Sequence, residues 1–435
     1  MASFLVVILL GAGLLSLPWL QQPGVDITFI DALFTSTTST CVTGLVTVNI
    51  AETFNFWGHL VILLMIQIGG WGVLTFVFSI GVTLHKKLGL SNQLLLQDAL
   101  NLNNTEAIGT FIKRMIKWTL VVEGIGAACY ACVFIPEYGW TGIWYSVFHA
   151  ISAFCNAGID ILGANSLCNY VTNPIINLTT CGLVVAAGLG YIVWFDIATN
   201  ITQRKIFSFK RLSLHSKLAL CTTLALITGG TALFMIYEYG NPNTLSNLTF
   251  IEKLQAALFQ SVTCRTAGFV TIPQENFTNP SALVSMVLMF IGGSPVGTAG
   301  GVKTVTILVL LSATLATLRN QKHTELFHRQ ISADAIRKAV AVICVSFSVV
   351  IVSTVLLSAC CSAPFLDILY ETVSACATVG ITRGITSQIG TIGKVIIIGT
   401  MFLGRVGPIS LVLTLNTNKK NRDMISSPIE EICIG

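Results

Sequence analysis

Apolar residues in this chain run in long blocks instead of alternating with polar ones. Blocks near 3–20, 56–84, 115–135, 175–201, 215–237, 280–318, 338–361 and 391–415 approach or exceed the about 20 residues that cross a bilayer as a helix. Between alternate pairs lie shorter apolar segments at 28–40, 142–154, 249–262 and 365–376, too short to span and therefore re-entrant or core pieces. The order is long, short, long, four times over. It predicts an all-α integral membrane fold with eight spans and four re-entrant pore helices. The units fall at 1–85, 86–203, 204–320 and 321–418, with a tail at 419–435. The first block has no basic residue ahead of it, unlike a secretory signal. It reads as a first membrane helix, short at its N-terminal end and compatible with a longer natural segment.

Each short segment ends in a glycine followed by an apolar residue: Gly44-Leu45, Gly158-Ile159, Gly268-Phe269 and Gly380-Ile381. The glycines stand 114, 110 and 112 residues apart, an internal period to be weighed before any local motif. Two spans per unit give all four units one orientation. That parity favours a ring around one pseudo-four-fold axis over two inverted halves.

Charge orients the chain. Only 10% of its 435 residues are charged and 53% are hydrophobic, with mean hydropathy +0.79; soluble domains carry about 25% charged residues. An ordinary globular enzyme is excluded. Of 24 basic residues, 18 lie in the long-to-long connections or after the last span, including Lys86, Lys113, Arg211, Arg319, Arg337 and Lys420. The connections with short segments hold only Lys253, Arg265, Arg383 and Lys394. Positive residues stay inside, so both termini are expected in the cytoplasm and the short segments dip in from outside a cell membrane. The net charge of +5 does not gather on a soluble face, so no nucleic acid partner is expected. Cysteines such as Cys129, Cys132, Cys181, Cys344, Cys360 and Cys361 sit in apolar runs and read as small buried hydrophobes, not ligands.

Irregular backbone at membrane depth is tolerated only where it is buried in protein or lines water. Four such loops on one axis present carbonyl oxygens to a narrow path, where they can replace the hydration shell of a potassium ion. Glycine reaches the backbone angles that this needs. The loops read Cys41-Val42-Thr43-Gly44, Cys155-Asn156-Ala157-Gly158, Arg265-Thr266-Ala267-Gly268 and Ala377-Thr378-Val379-Gly380. None carries a carboxylate. Asp160, just beyond the second glycine, reads as a solvated loop residue that can also draw cations to the mouth. Glu123 and Asp196 read as helix–helix contacts and His149 as a core histidine.

The stretch from Gly292 to Thr304 places five glycines and one proline within ten residues of an apolar block. Glycine costs about 1 and proline about 3 kcal/mol in a helix interior, so the helix must break, and in the third unit only. A cytoplasmic linker there would reverse the orientation of everything after it, against the charge pattern. Arg405 lies within the last span, where a charge costs about 2.5–3.5 kcal/mol to insert and faces a cavity or a partner. Lys303 reads equally well as part of the break or as an interfacial anchor.

Along its whole length the chain resembles the Trk/Ktr/HKT superfamily of potassium transporters, and more closely its shorter KtrB-type members. There, one subunit carries four M1–P–M2 repeats with one glycine per filter. The resemblance implies a potassium filter of Val42, Thr43, Gly44, Asn156, Ala157, Gly158, Thr266, Ala267, Gly268, Thr378, Val379 and Gly380. It implies an intramembrane gate of Gly292, Gly293, Ser294, Pro295, Gly297, Thr298, Ala299, Gly300, Gly301 and Lys303, contacted by Arg405. Glycine rather than serine at position 44 goes, in that superfamily, with potassium selectivity. A homodimer packed through the Ser427–Gly435 tail and a cytosolic ring of RCK-type nucleotide-binding domains are the implied partners, besides membrane lipid. No cofactor is expected in this chain; K+ is the cargo and Na+ a possible co-ion. The alternatives are an ion-coupled (Na+ or H+) cation carrier and a Na+-permeable transporter of the same fold. An intramembrane enzyme is disfavoured, because neither HExxH nor GxSxG occurs.

Overall fold

Asn, Ser and Thr side chains start half of the helices named below. The structure is a computed structural model that describes residues 2–72, 108–163, 165–204, 208–321 and 323–407. Helix α1 is Ala2–Leu15, and α2, Phe29–Cys41, opens where Thr28 accepts the Asp31 amide. Asn55 caps α3 (Phe56–Trp71), and α4 (Ile108–Tyr138) and α5 (Thr141–Cys155) follow. Asn173 caps α6 (Pro174–Gly188), which is followed by α7 (Tyr191–Arg204) and by α8 (Leu214–Glu238), capped by Ser213. The Glu252 carboxylate accepts the Thr249 amide at 2.8 Å and starts α9 (Phe250–Thr263). Then come α10 (Asn279–Phe290), α11 (Thr304–Leu318), α12 (Ala333–Cys360), α13 (Phe365–Ala377) and α14 (Thr391–Val406). Between α11 and α12 a two-residue hairpin pairs β1 (Glu325–Leu326) with β2 (Arg329–Gln330). Lys86, Lys87, Lys205, Lys322 and the 419–435 tail lie outside the described residues.

Among the described residues, three helices are long and apolar enough to cross a membrane: Gly109–Tyr138, Leu214–Glu238 and Ala333–Cys360. Helices α1, α3, α10 and α11 are shorter and apolar, so eight full-length spans are not counted among the described residues. The 175–201 block, read from sequence as one span, is instead bent by 93° between α6 and α7. Gly190 takes φ +86° at the bend, and the Tyr191 amide donates to Val296 O at 3.1 Å. The 280–318 block is broken between α10 and α11.

Among the described residues, four of the hydrophobic cores follow one another around the molecule. Leu15, Ile62 and Ile66 pack with Phe148 and Ile159; Tyr130, Phe134 and Val184 pack with Phe259 and Phe269. Phe234, Met286 and Met289 pack with Tyr370 and Ile381, while Leu357, Ile397 and Met401 pack with Phe34 and Leu45. Each core thus joins long helices to the short helix of the next stretch, and the fourth returns to the first. Lipid tails are as apolar as leucine, so helix association in a bilayer leans on close packing and hydrogen bonds. Paired hydroxyls supply the latter: Tyr130 with Thr180 at 2.6 Å, Ser353 with Thr400 at 2.7 Å and Thr354 with Thr372 at 2.7 Å. Gln67 donates to both Glu123 oxygens, at 3.1 and 3.3 Å. Asp196 accepts the Ser213 amide at the start of α8. The expectation of uniformly buried cysteines fails: Cys181 is buried, but Cys132, Cys344 and Cys360 are exposed on outward helix faces. Cys129 and Cys132 have the C-x-x-C spacing of a metal site, yet no metal-binding group is found among the described residues.

The last join is ionic. Lys394, in the first turn of α14, donates to Asp31 of α2 at 2.6 Å, and Thr47 donates to the same carboxylate oxygen at 2.7 Å. Burial alone would raise the Asp31 carboxyl; the hydrogen bonds from Lys394, Thr28 and Thr47 hold it below its ordinary 3.8. A depressed carboxylate pKa gives stability above the unfolded value that is lost as pH falls through the folded one. Asp31→Asn should therefore cost about 1–3 kcal/mol at pH 7, read as a lower melting temperature in detergent. The difference from the parent should close as pH falls below about 4.

Candidate functional site

The four short helices α2, α5, α9 and α13 end at the four glycine loops, and three of them end alike. Val42, Asn156 and Thr378 cap their helices in the left-handed region at φ +56°, +60° and +51°. The next amide in each loop reaches back into the helix: Thr43 N to Thr38 O and Ala157 N to Ser152 O at 2.8 Å, and Val379 N to Ser374 O at 2.9 Å. In the third loop α9 stops at Thr263 with a right-handed cap at Cys264, and Thr266 takes the left-handed turn at φ +65°. All four glycines then have positive φ, +102° at Gly44, +62° at Gly158, +86° at Gly268 and +94° at Gly380. L side chains adopt such angles only with strain.

These glycines meet. A Cβ on Gly44 would stand 2.6 Å from Ala157 O; on Gly158, 2.6 Å from Ala267 O; on Gly268, 2.6 Å from Val379 O. A Cβ on Gly380 would overlap Thr43 O. Each loop therefore abuts the carbonyl just ahead of the next glycine, and the circuit closes. Hydroxyls at the helix ends brace it. Thr38 Oγ1 accepts the Gly44 amide at 2.9 Å and Ser374 Oγ the Gly380 amide at 3.1 Å. Ser152 and Thr263 donate to Ile159 O and Phe269 O at 2.6 Å. Sequence reasoning missed these four residues. A hydroxyl six positions ahead of the glycine recurs in three loops and five positions ahead in the other, and that was the available signal.

On one side of the ring lies a cavity of about 430 Å³, lined by the four glycines and by Asp160 and Glu275. Asp160 is half-buried, and burial pushes its carboxyl up to about 6. Glu371, behind the fourth loop, accepts Thr382 Oγ1 at 2.7 Å and a short bond from Thr386. His149 is enclosed, its Nδ1 2.7 Å from Tyr145 O.

The non-helical stretch between α10 and α11 packs against the helix ends. Gly292 N donates to Val302 O and Val302 N to Phe290 O, both at 3.0 Å, which pinches a neck. From there the loop touches all four short helices or their neighbours. Thr298 Oγ1 donates to Phe154 O at 3.1 Å, and Gly300 N donates to Thr266 Oγ1 at 3.2 Å. A Cβ on Gly300 would overlap Thr378 Oγ1 and stand 2.7 Å from Ala377 O. Arg405 bonds Thr298 O and Gly69 O, both at 2.6 Å, and Gly69 packs on the Thr40 carbonyl at the end of α2. Lys303 turns back on the loop, donating to Ala299 O at 2.6 Å. Pro295, Val296 and Gly297 sit over the α6–α7 bend, and Ser294 N donates to Gly188 O at 2.8 Å. Gly293 and Ala299 pack together, and Gly301 takes φ +65°. The residues singled out from sequence thus gather into two adjoining groups, a glycine ring and a loop against it.

Comparison with known proteins gives the family from sequence and a similar fold from structure. A family model described as "TrkH: Cation transport protein" matches residues 4–425. The chain is 39% identical to the potassium/sodium uptake protein NtpJ of Enterococcus hirae, across 100% of this chain and 96% of that one. It is also 39% identical to the Ktr system potassium uptake protein B of Bacillus subtilis, across 100% and 95%. In structure it is similar to the potassium transporter TrkH from Vibrio parahaemolyticus, with a TM-score of 0.75 at 18% identity, covering 95% of this chain and 84% of that one. With its apolar helices and closed ring of helix packing, the chain is a membrane protein and belongs to the TrkH cation transport family.

Proposed function

We propose that the protein takes up potassium ions across the cell membrane through one pore, with the four-glycine ring as its selectivity filter and the 292–303 loop as its gate. The closed circuit of carbonyls at Thr43, Ala157, Ala267 and Val379 carries this reading. Carbonyls so gathered replace the water around a potassium ion. The C-terminal ends of the four short helices adjoin them, and helix C-termini bear partial negative charge that favours a cation. The two relatives named for potassium uptake support the choice of cargo. An inward-driving potential supplies about 2.3 kcal/mol per charge per 100 mV, enough for accumulation without nucleotide hydrolysis in this chain.

In this reading eight spans place the termini and basic connections in the cytoplasm, and the 430 Å³ cavity is the outer mouth. The loop lies against the inner side of the filter and closes it. A homodimer and a cytosolic RCK-type ring remain the proposed partners, with the ring acting on the loop from the basic face. The second reading, same-side sodium dependence, is favoured by the Enterococcus relative, whose name includes sodium.

Flux into proteoliposomes under an inside-negative potential tests the proposal. Deleting residues 297–301 should open the pore, with potassium flux well above sodium flux. Gly44→Ser, on that background, should reduce the ratio about tenfold, or about 1.4 kcal/mol. Equal fluxes before the substitution would remove the selectivity claim; no flux after the deletion would remove the pore. The mouth adds a pH dependence. Asp160 is charged above its pKa of about 6, so uptake at low external potassium should fall about threefold as external pH drops from 7 to 5 at low ionic strength. Asp160→Asn should flatten that step.

A further inference from the structure

Arg265 stands where the other three loops have Cys41, Cys155 and Ala377, three residues ahead of the glycine. It is only 5% exposed. A guanidinium offers five N–H donors, yet Nη2 makes two long bonds, to Thr223 Oγ1 on α8 at 3.3 Å and to Gly292 O at 3.4 Å, and Nε has no partner. None of the ion pairs among the described residues includes it. An apolar side chain at a buried site avoids the desolvation cost that such a charge carries. Something other than packing has to account for an arginine here.

Its bonds lead to the neck of the loop. Gly292 begins the non-helical stretch, and Gly293 N meets Gly300 O across the neck at 3.4 Å. Thr266, the next residue after Arg265, accepts the Gly300 amide at 3.2 Å. Consecutive residues of the third glycine loop therefore hold both sides of the neck, one at Gly292 and one at Gly300. The two residues after them are Ala267, whose carbonyl faces Gly158, and Gly268 itself.

We infer that Arg265 is a positioning residue that couples filter to gate: with Thr266 it staples the neck of the 292–303 loop to the third filter loop, so the two change conformation together. The inference rests on the pore reading above. Opening the neck must release the Gly292 and Gly300 bonds, which frees Arg265 and Thr266 and unsettles the Ala267 carbonyl between them and Gly268. The coupling is reciprocal, so an ion held by the filter carbonyls favours the stapled neck. The long, weak bonds suit a contact that has to break during function. A merely structural arginine would alter folding and leave ion discrimination alone.

Potassium and sodium fluxes into proteoliposomes, compared for the parent chain, Arg265→Gln, Arg265→Lys, Thr266→Val and the 297–301 deletion, test the coupling. Arg265→Gln should raise potassium flux of the otherwise closed chain about tenfold, the scale of one lost charge-assisted hydrogen bond, and lower the potassium-to-sodium ratio with it. Arg265→Lys, which keeps the charge and a donor, should restore most of both. Melting in detergent checks that the variants fold; should Arg265→Gln not fold, Thr266→Val carries the same comparison with about a threefold effect. If the deletion conducts while Arg265→Gln and Thr266→Val stay closed, the coupling is refuted and the pore stands. A raised flux with unchanged selectivity also refutes it. If neither the variants nor the deletion conduct, the pore reading falls and the coupling falls with it.

Discussion

The absence of space for a β-carbon at four glycines is the constraint on which the rest of the molecule depends. Because Gly44, Gly158, Gly268 and Gly380 each press on the loop that follows them around the ring, no loop can be placed independently. The four short helices must end at one level and turn by the same left-handed step, and the cores behind them must join neighbouring stretches in a closed sequence. Those demands account for features that look unrelated. Hydroxyls at helix ends hold amides and carbonyls of the loops, and the Asp31–Lys394 pair ties the last helix to the first short one. In hydrocarbon, where apolar burial gives little drive to helix association, such polar joins determine which neighbour a helix takes.

One stretch departs from the pattern, and its departures support one another. The α10–α11 helix breaks and frees backbone groups; the α6–α7 segment bends by 93° and frees others. The two irregular segments satisfy each other, Ser294 N with Gly188 O and Tyr191 N with Val296 O. Unpaired backbone polar groups are costly to bury, and more so in a bilayer. A straight α6–α7 would therefore leave the loop without its partners. The break and the bend are a single structural unit made from two distant parts of the chain.

The sequence disclosed the elements well and their relations poorly. Short segments read at 28–40 and 365–376 are the helices Phe29–Cys41 and Phe365–Ala377, because a dozen apolar residues ending in a glycine leave few alternatives. The break at Gly292–Gly301 was equally plain from its glycines and proline. The bend at Gly190 was not. One glycine in an apolar run is ordinary, and what bends the helix is a backbone partner about a hundred residues away. The hydroxyl braces were hidden for a similar reason: serine and threonine are common in membrane helices, and only the fold shows that Thr38 and Ser374 face a loop amide. Arg265 was visible as a basic residue on the sparsely charged side, but its burial and its reach to Gly292 depend on the fold of the third stretch.

The loop also concentrates charge in a way that bears on how it could close a cation path. Arg265, Lys303 and Arg405 all donate to its carbonyls, at Gly292, Ala299 and Thr298, and none of them forms an ion pair among the described residues. The ends of the short helices meet this same loop, and their partial negative charge is the compensation nearest to hand. In the proposed pore those helix ends would otherwise favour a permeating ion. With the loop in place they would face tethered cations instead, and the field that would attract potassium would also hold the loop. In that reading, movement of the loop would remove the obstruction and shift Lys303, while Arg265 and Arg405 stay on the third glycine loop and α14. The helix ends would then lose part of their compensation, and in the proposed pore a potassium ion past the filter would supply it.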